Sequence, residues 1–260
     1  GSEMCIRDSQ KGGVGKTTTC VNMSAYLASK GKKVLIVDLD PQGNTTSGLG
    51  MEVDDKSIYE VIMGRMKLTD VMEETEFKNL SIAGSDVRLA NAELELVEVE
   101  KREYRLKTAV QSVQQDFDFI FIDCPPSLGL LTINALGAAD SVLIPIQCEY
   151  YALEGVASLM NTISRVKKTI NPHLEIEGVL LTMLDGRTNL GLQVVDEVKK
   201  HFKKQVYATV IPRSVRLGEA PSHGEPIHVY DKRSAGCVAY VNLAKEVLKR
   251  NNIKVKEFKL

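Results

Sequence analysis

The stretch 8–19, DSQKGGVGKTTT, decides how the rest of the chain is read. It carries Gly15, Lys16 and Thr17 in the last three places of the phosphate-loop pattern G-x-x-x-x-G-K-[ST], with Gln10 where the opening glycine stands. Gly12 and Gly13 can supply the missing curvature. The backbone from Gly12 through Val14 to Gly15 can then turn its N–H groups inward on phosphate oxygens, at the start of a helix whose dipole favours negative charge. Lys16 is placed to neutralise β and γ phosphates, the Thr17 hydroxyl to ligate Mg²⁺, and Thr18 to contact an α phosphate. A second lysine, Lys11, is left over and needs a use.

Outward from this loop, apolar runs of strand length recur at 33–40, 117–124, 140–146, 176–184 and 205–212, with 79–85 as a further strand. They are continuous Val/Ile/Leu runs without alternation, the pattern of strands buried on both faces of a parallel sheet. Between them, helical spacing covers Thr17–Ser29, Glu93–Gln115, Gly129–Ala138, Leu153–Ile170, Leu190–Lys203 and Ala235–Arg250. The alternation predicts an α/β, doubly wound, mostly parallel sheet with helices on both faces, a P-loop NTPase fold in a single domain over 10–260. Residues 1–9, GSEMCIRDS, are expected to be tag-like foreign sequence in place of an apolar strand, because Arg7 and Asp8 suit a central strand badly; the alternative is a short, distorted first strand.

Two strands end in carboxylates. VLIVDLD (34–40) closes on Asp38 and Asp40, and FIFIDC (119–124) has four apolar residues before Asp123, the form that holds a Mg²⁺ water. The five cysteines are scattered without a CxxC pair and read as reduced thiols, and no run is apolar and long enough to span a membrane, so a cytoplasmic protein is expected. Net charge is −1, yet residues 185–260 carry 15 Lys and Arg against 8 Asp and Glu. The basic end is therefore a candidate polyanion surface.

KGGVGKTT (11–18), DLDPQGNTTSGLG (38–50), NAELELVEVEKREYRLK (91–107), IDCPPSLGLLTINAL (122–136), IPIQCEYYALEG (144–155), LTMLDGRTNLGLQV (181–194) and IPRSVRLGEAPSHGEPI (211–227) together resemble the chromosomal ParA/Soj branch of the deviant Walker A ATPases. The resemblance gives Lys11 its use: it implies a homodimer closed on ATP in which Lys11 reaches the partner's phosphate, much as an arginine finger does. It further implies that Asp40 orients the attacking water with Asp38 near the metal's water shell, and that Pro212, Arg213 and Met183 line the adenine. Ser214 stands where an asparagine is common. Non-specific double-stranded DNA is expected at Arg187 and Arg216, with Lys199, Lys200, Lys203 and Lys204 adding to the field. A ParB-type activator and nucleoid association complete the expectation. The competing readings are a MinD-like membrane-positioning ATPase, disfavoured because the tail 251–260 lacks a sustained apolar face, and an iron protein, which needs a second well-placed cysteine besides Cys124.

Overall fold

The structure, a computed structural model, describes residues 2–6, 13, 15–148, 152–185 and 189–253. One sheet holds β1 (Ser2–Ile6), β2 (Val34–Asp38), β3 (Met72–Glu74), β4 (Leu80–Ala83), β5 (Phe119–Asp123), β6 (Ser141–Gln147), β7 (Glu175–Leu184) and β8 (Val206–Pro212), in the order β3-β4-β2-β5-β1-β6-β7-β8. Only the β3–β4 pairing is antiparallel. The helices are α1 (Lys16–Ser29), α2 (Asn44–Gly48), α3 (Ile58–Ile62), α4 (Leu68–Val71), α5 (Leu89–Glu95), α6 (Arg105–Gln111), α7 (Leu130–Ala138), α8 (Ala152–Thr169), α9 (Asn189–Phe202), α10 (Val215–Glu219), α11 (Ile227–Tyr230) and α12 (Ala235–Arg250). The doubly wound sheet expected from the sequence is the fold.

Each interior strand divides its side chains between two cores. Leu35, Val37, Ile120 and Ile122 join the core under α3, α5, α6, α7 and α8, whereas Val34, Ile36, Phe119 and Phe121 join the one under α1 and α12. Burial on both faces is why these strands read as unbroken apolar runs. It also fixes register, since a slip by one residue would exchange the two cores.

The region 93–115 departs from the single helix its spacing predicts. α5 ends at Glu95, Lys101 takes a left-handed φ of 54°, and α6 begins at Arg105. Buried Asn134 on α7 explains the break: its Oδ1 accepts from Leu106 N–H at 3.1 Å while its Nδ2 donates to the Arg102 carbonyl at 2.9 Å. A tertiary cap at the first turn of α6 outweighs local helix propensity. The short antiparallel edge strand β3, three residues long, had no apolar run to announce it.

Residues 2–6 form the central strand, in register with both β5 and β6. Arg7 and Asp8, the charges that argued against such a strand, lie outside the described residues. The strand does bury Glu3, only 6 % exposed, with Oε1 lacking a hydrogen-bond partner among the described residues. Burial, reinforced by neighbouring Asp140, raises its carboxyl from 4.5 to about 7. A carboxyl raised on folding favours the fold while protonated, and that contribution is lost as pH rises from the unfolded toward the folded pKa. Glu3→Gln is therefore expected to raise the midpoint of thermal unfolding by a few degrees near pH 8 and to change it little near pH 4. Equal effects at both pH values would show that ionisation of Glu3 is not the cause.

Candidate active site

β2 and β5 run side by side, and their last residues, Asp38 and Asp123, are paired in register at the C-terminal edge of the sheet. α1 starts beside them. Gly15, at φ 92°, precedes its first turn, a conformation that suits glycine, and Lys16, Thr17 and Thr18 follow on the helix. These residues, with Gly13 and Asp40, line a cavity of about 440 Å³. An adjoining cavity of about 310 Å³ shares Gly15, Thr18 and Met183 with the first and adds Pro212, Arg213 and Ser214. The structure thus places Gly13, Gly15, Lys16, Thr17 and Thr18 on the first cavity and the three expected adenine-lining residues on the second, with Gly15, Thr18 and Met183 common to both. Met183 sits at the junction with a φ of 53°, a strained conformation for a side chain of its kind. Lys11, Gly12, Val14 and Arg187 lie outside the described residues.

The three carboxylates are in different situations. Asp38 has three donors: Asp40 N–H at 3.1 Å on Oδ1, and Thr46 N–H and hydroxyl at 3.0 and 2.7 Å on Oδ2. Asp40 accepts from Gln42 N–H at 3.0 Å and faces the cavity. Asp123, 1 % exposed, receives both its hydroxyl bonds on Oδ2, from Thr17 at 2.9 Å and Thr45 at 2.6 Å, and Oδ1 has no hydrogen-bond partner among the described residues. Burial raises the Asp38 carboxyl, helped by the charge of Asp123, and burial likewise raises Asp123 against the opposing pull of Thr45, Thr17 and Lys16. Two desolvated carboxylates, one with an unsatisfied oxygen, gain from a cation. The donor set is oxygen throughout, which suits Mg²⁺, an ion commonly held by one or two carboxylates together with phosphate oxygens.

Thr45 and Thr46 were not singled out from the sequence. Their signal was a pair of hydroxyl residues two positions past a glycine turn that follows a strand-end aspartate. Arg216 stands apart from the cavity, with its side chain 56 % exposed on α10 and ion-paired to Glu219 at 3.0 Å and Asp231 at 3.5 Å.

A protein-family model for an AAA domain matches residues 4–176. The sporulation initiation inhibitor protein Soj of Bacillus subtilis is 60% identical over 240 residues, covering 92% of this chain and 95% of that protein. The chain belongs to the Soj/ParA family. The chromosome partitioning protein ParA of Myxococcus xanthus is 51% identical, covering 98% and 90%. The structure described as cobyrinic acid a,c-diamide synthase from Mycobacterium smegmatis with bound ATP analog and magnesium superposes with a TM-score of 0.85 at 36% identity, covering 96% of each chain. As a Soj/ParA protein the chain is an ATPase that works with ATP and Mg²⁺. No helix among the described residues is long and apolar enough to cross a membrane.

Asp123→Asn keeps an acceptor for the two hydroxyls and removes the charge. It is expected to reduce Mg²⁺-dependent ATP turnover on the order of 100-fold, while the nucleotide-free protein unfolds at an unchanged or higher temperature at pH 8. A lowered unfolding temperature would make Asp123 a support of the fold instead.

Proposed function

We propose that this ATPase is a partitioning switch: ATP closes a homodimer, the closed dimer binds double-stranded DNA without sequence preference, and a ParB-type partner accelerates hydrolysis and releases it. The observation that carries the reading is the joining of a two-lysine phosphate loop to in-register strand-end aspartates, in a chain 60% identical to Soj. Support for the work itself comes from relatives named chromosome partitioning protein. In this reading Lys16 and the loop glycines hold the triphosphate, and Lys11 adds a charge to the partner's phosphates. Thr17 and Asp123 would hold Mg²⁺, and the ion would neutralise charge on the phosphates. Asp40 receives or orients the proton of the attacking water, a role that fits a cavity-facing carboxylate with one oxygen bound to backbone. Asp38 stands near the metal's water shell and also holds the neighbouring turn through Thr46. Met183, Pro212 and Arg213 line the adenine.

The DNA surface is assigned to Arg187 and Arg216. A phosphate reaching Arg216 competes with Glu219 and Asp231 for its guanidinium, so attraction from a single subunit is partly cancelled before DNA arrives. Nucleoid association follows from such binding.

DNA binding measured with ATP, ADP and no nucleotide, each with and without a ParB-type N-terminal peptide, tests the switch as a whole. Binding in ATP alone, steeply weakened by salt and shortened by the peptide, is the expected outcome; equal binding in ADP would defeat it. Asp40→Ala is expected to dimerise and bind DNA with ATP yet hydrolyse slowly, and unchanged turnover would remove the role given to Asp40. Arg216→Glu is expected to lose DNA and keep ATP-dependent dimerisation, as read by light scattering.

A further inference from the structure

α2 spans five residues, starts after Gly43 in the left-handed region and has no side-chain cap, so helix propensity alone cannot hold it. Two consecutive hydroxyls fix it to the sheet. Thr46 donates to Asp38 at 2.7 Å and accepts from Ser85 N–H at 3.1 Å, a tie between loop and strand. Thr45 donates to Asp123 at 2.6 Å. These adjacent residues therefore grip the two paired carboxylates of neighbouring strands.

Thr45 is 0 % exposed and does not line the nucleotide cavity, although Asn44, Ser47 and Gly48 on the same short helix do. Thr17, the other donor to Asp123 Oδ2, does line the cavity. The Thr17 hydroxyl can give its proton to Asp123 and still lend its oxygen to a ligand, so its orientation answers to whatever occupies the space. Thr45 is sealed away from that influence. Both hydroxyls converge on Oδ2, which leaves Oδ1 without a hydrogen-bond partner among the described residues.

We propose that Thr45 is a positioning residue of the ATPase. Its hydroxyl fixes the rotation of the Asp123 carboxylate and fastens the α2 wall of the cavity to it, so that the metal-linked part of nucleotide binding depends on a side chain that touches neither nucleotide nor metal. The proposal rests on the reading of Asp123 as the metal-side carboxylate. A hydrogen bond to a charged, buried acceptor is the strong kind, and losing it is worth roughly tenfold or more in an equilibrium.

The test is calorimetric titration of ADP into the wild type, Thr45→Val, Thr45→Ser and Thr45→Ala, each in excess Mg²⁺ and again in EDTA. In EDTA all four are expected to bind alike. In Mg²⁺ the wild type and Thr45→Ser gain affinity, whereas Thr45→Val and Thr45→Ala lose about tenfold of that gain. A full gain in Thr45→Val and Thr45→Ala overturns the proposal, as does a loss in Thr45→Ser equal to theirs. Circular dichroism is read in parallel: if neither Thr45→Val nor Thr45→Ala folds, Thr45 serves the fold and the proposal fails. A wild type that gains nothing from Mg²⁺ overturns the reading of Asp123 itself, an outcome distinct from all of these.

Discussion

Asp38 and Asp123 end adjacent parallel strands in register, and both are buried. Parallel pairing allows no relief by sliding: a shift of one residue would drive Val37 and Ile122 out of one core and into the other. The two charges must therefore be accommodated where they are. The chain does so with hydroxyl and backbone donors brought from α1 and α2, and those donors shape the cavity. For Asp38 both oxygens have donors. For Asp123 one oxygen has no hydrogen-bond partner among the described residues, and in the proposed reading that oxygen is where a cation would complete the accommodation.

That distinction also marks how far the sequence could be read. The interior strands and the long helices were legible because burial on both sides leaves unbroken Val/Ile/Leu runs and clean helical spacing. The break at Lys101 was not, because its cause is Asn134, about thirty positions away and read from the sequence only as part of α7. Likewise Asp38, Asp40 and Asp123 could be picked out by type and place, but nothing in their spacing says which oxygens are already spoken for. That information lies in Thr45 and Thr46, whose partners are set by tertiary packing. Lys11, Gly12, Val14 and Arg187 were identified from sequence motifs and lie outside the described residues.

Met183 shows a second way in which the site is held. It ends no element, yet its left-handed φ falls on β7 just where the two cavities meet. β7 pairs with β8 through irregular register, and the shift between Leu181 and Leu184 brackets Met183. The strand yields locally there while buried Leu180 and Leu181 keep its anchorage in the two cores. Strain of this kind persists only where packing on either side over-determines it.

The charge distribution bears on why assembly would matter to such a protein. The basic character of residues 185–260 is offset elsewhere, to a net charge of −1, and Arg216 is already engaged by Glu219 and Asp231. One subunit then offers a polyanion a weak and heavily screened attraction. In the proposed switch, two subunits fixed face to face by a shared pair of nucleotides would change the arithmetic, because the second contact would form at the high effective concentration set by the first. Partial cancellation within the monomer is thus a useful property for the proposed switch: it would keep the unassembled form off DNA and make binding follow nucleotide-driven closure, where a stronger single-subunit surface would bind in every state.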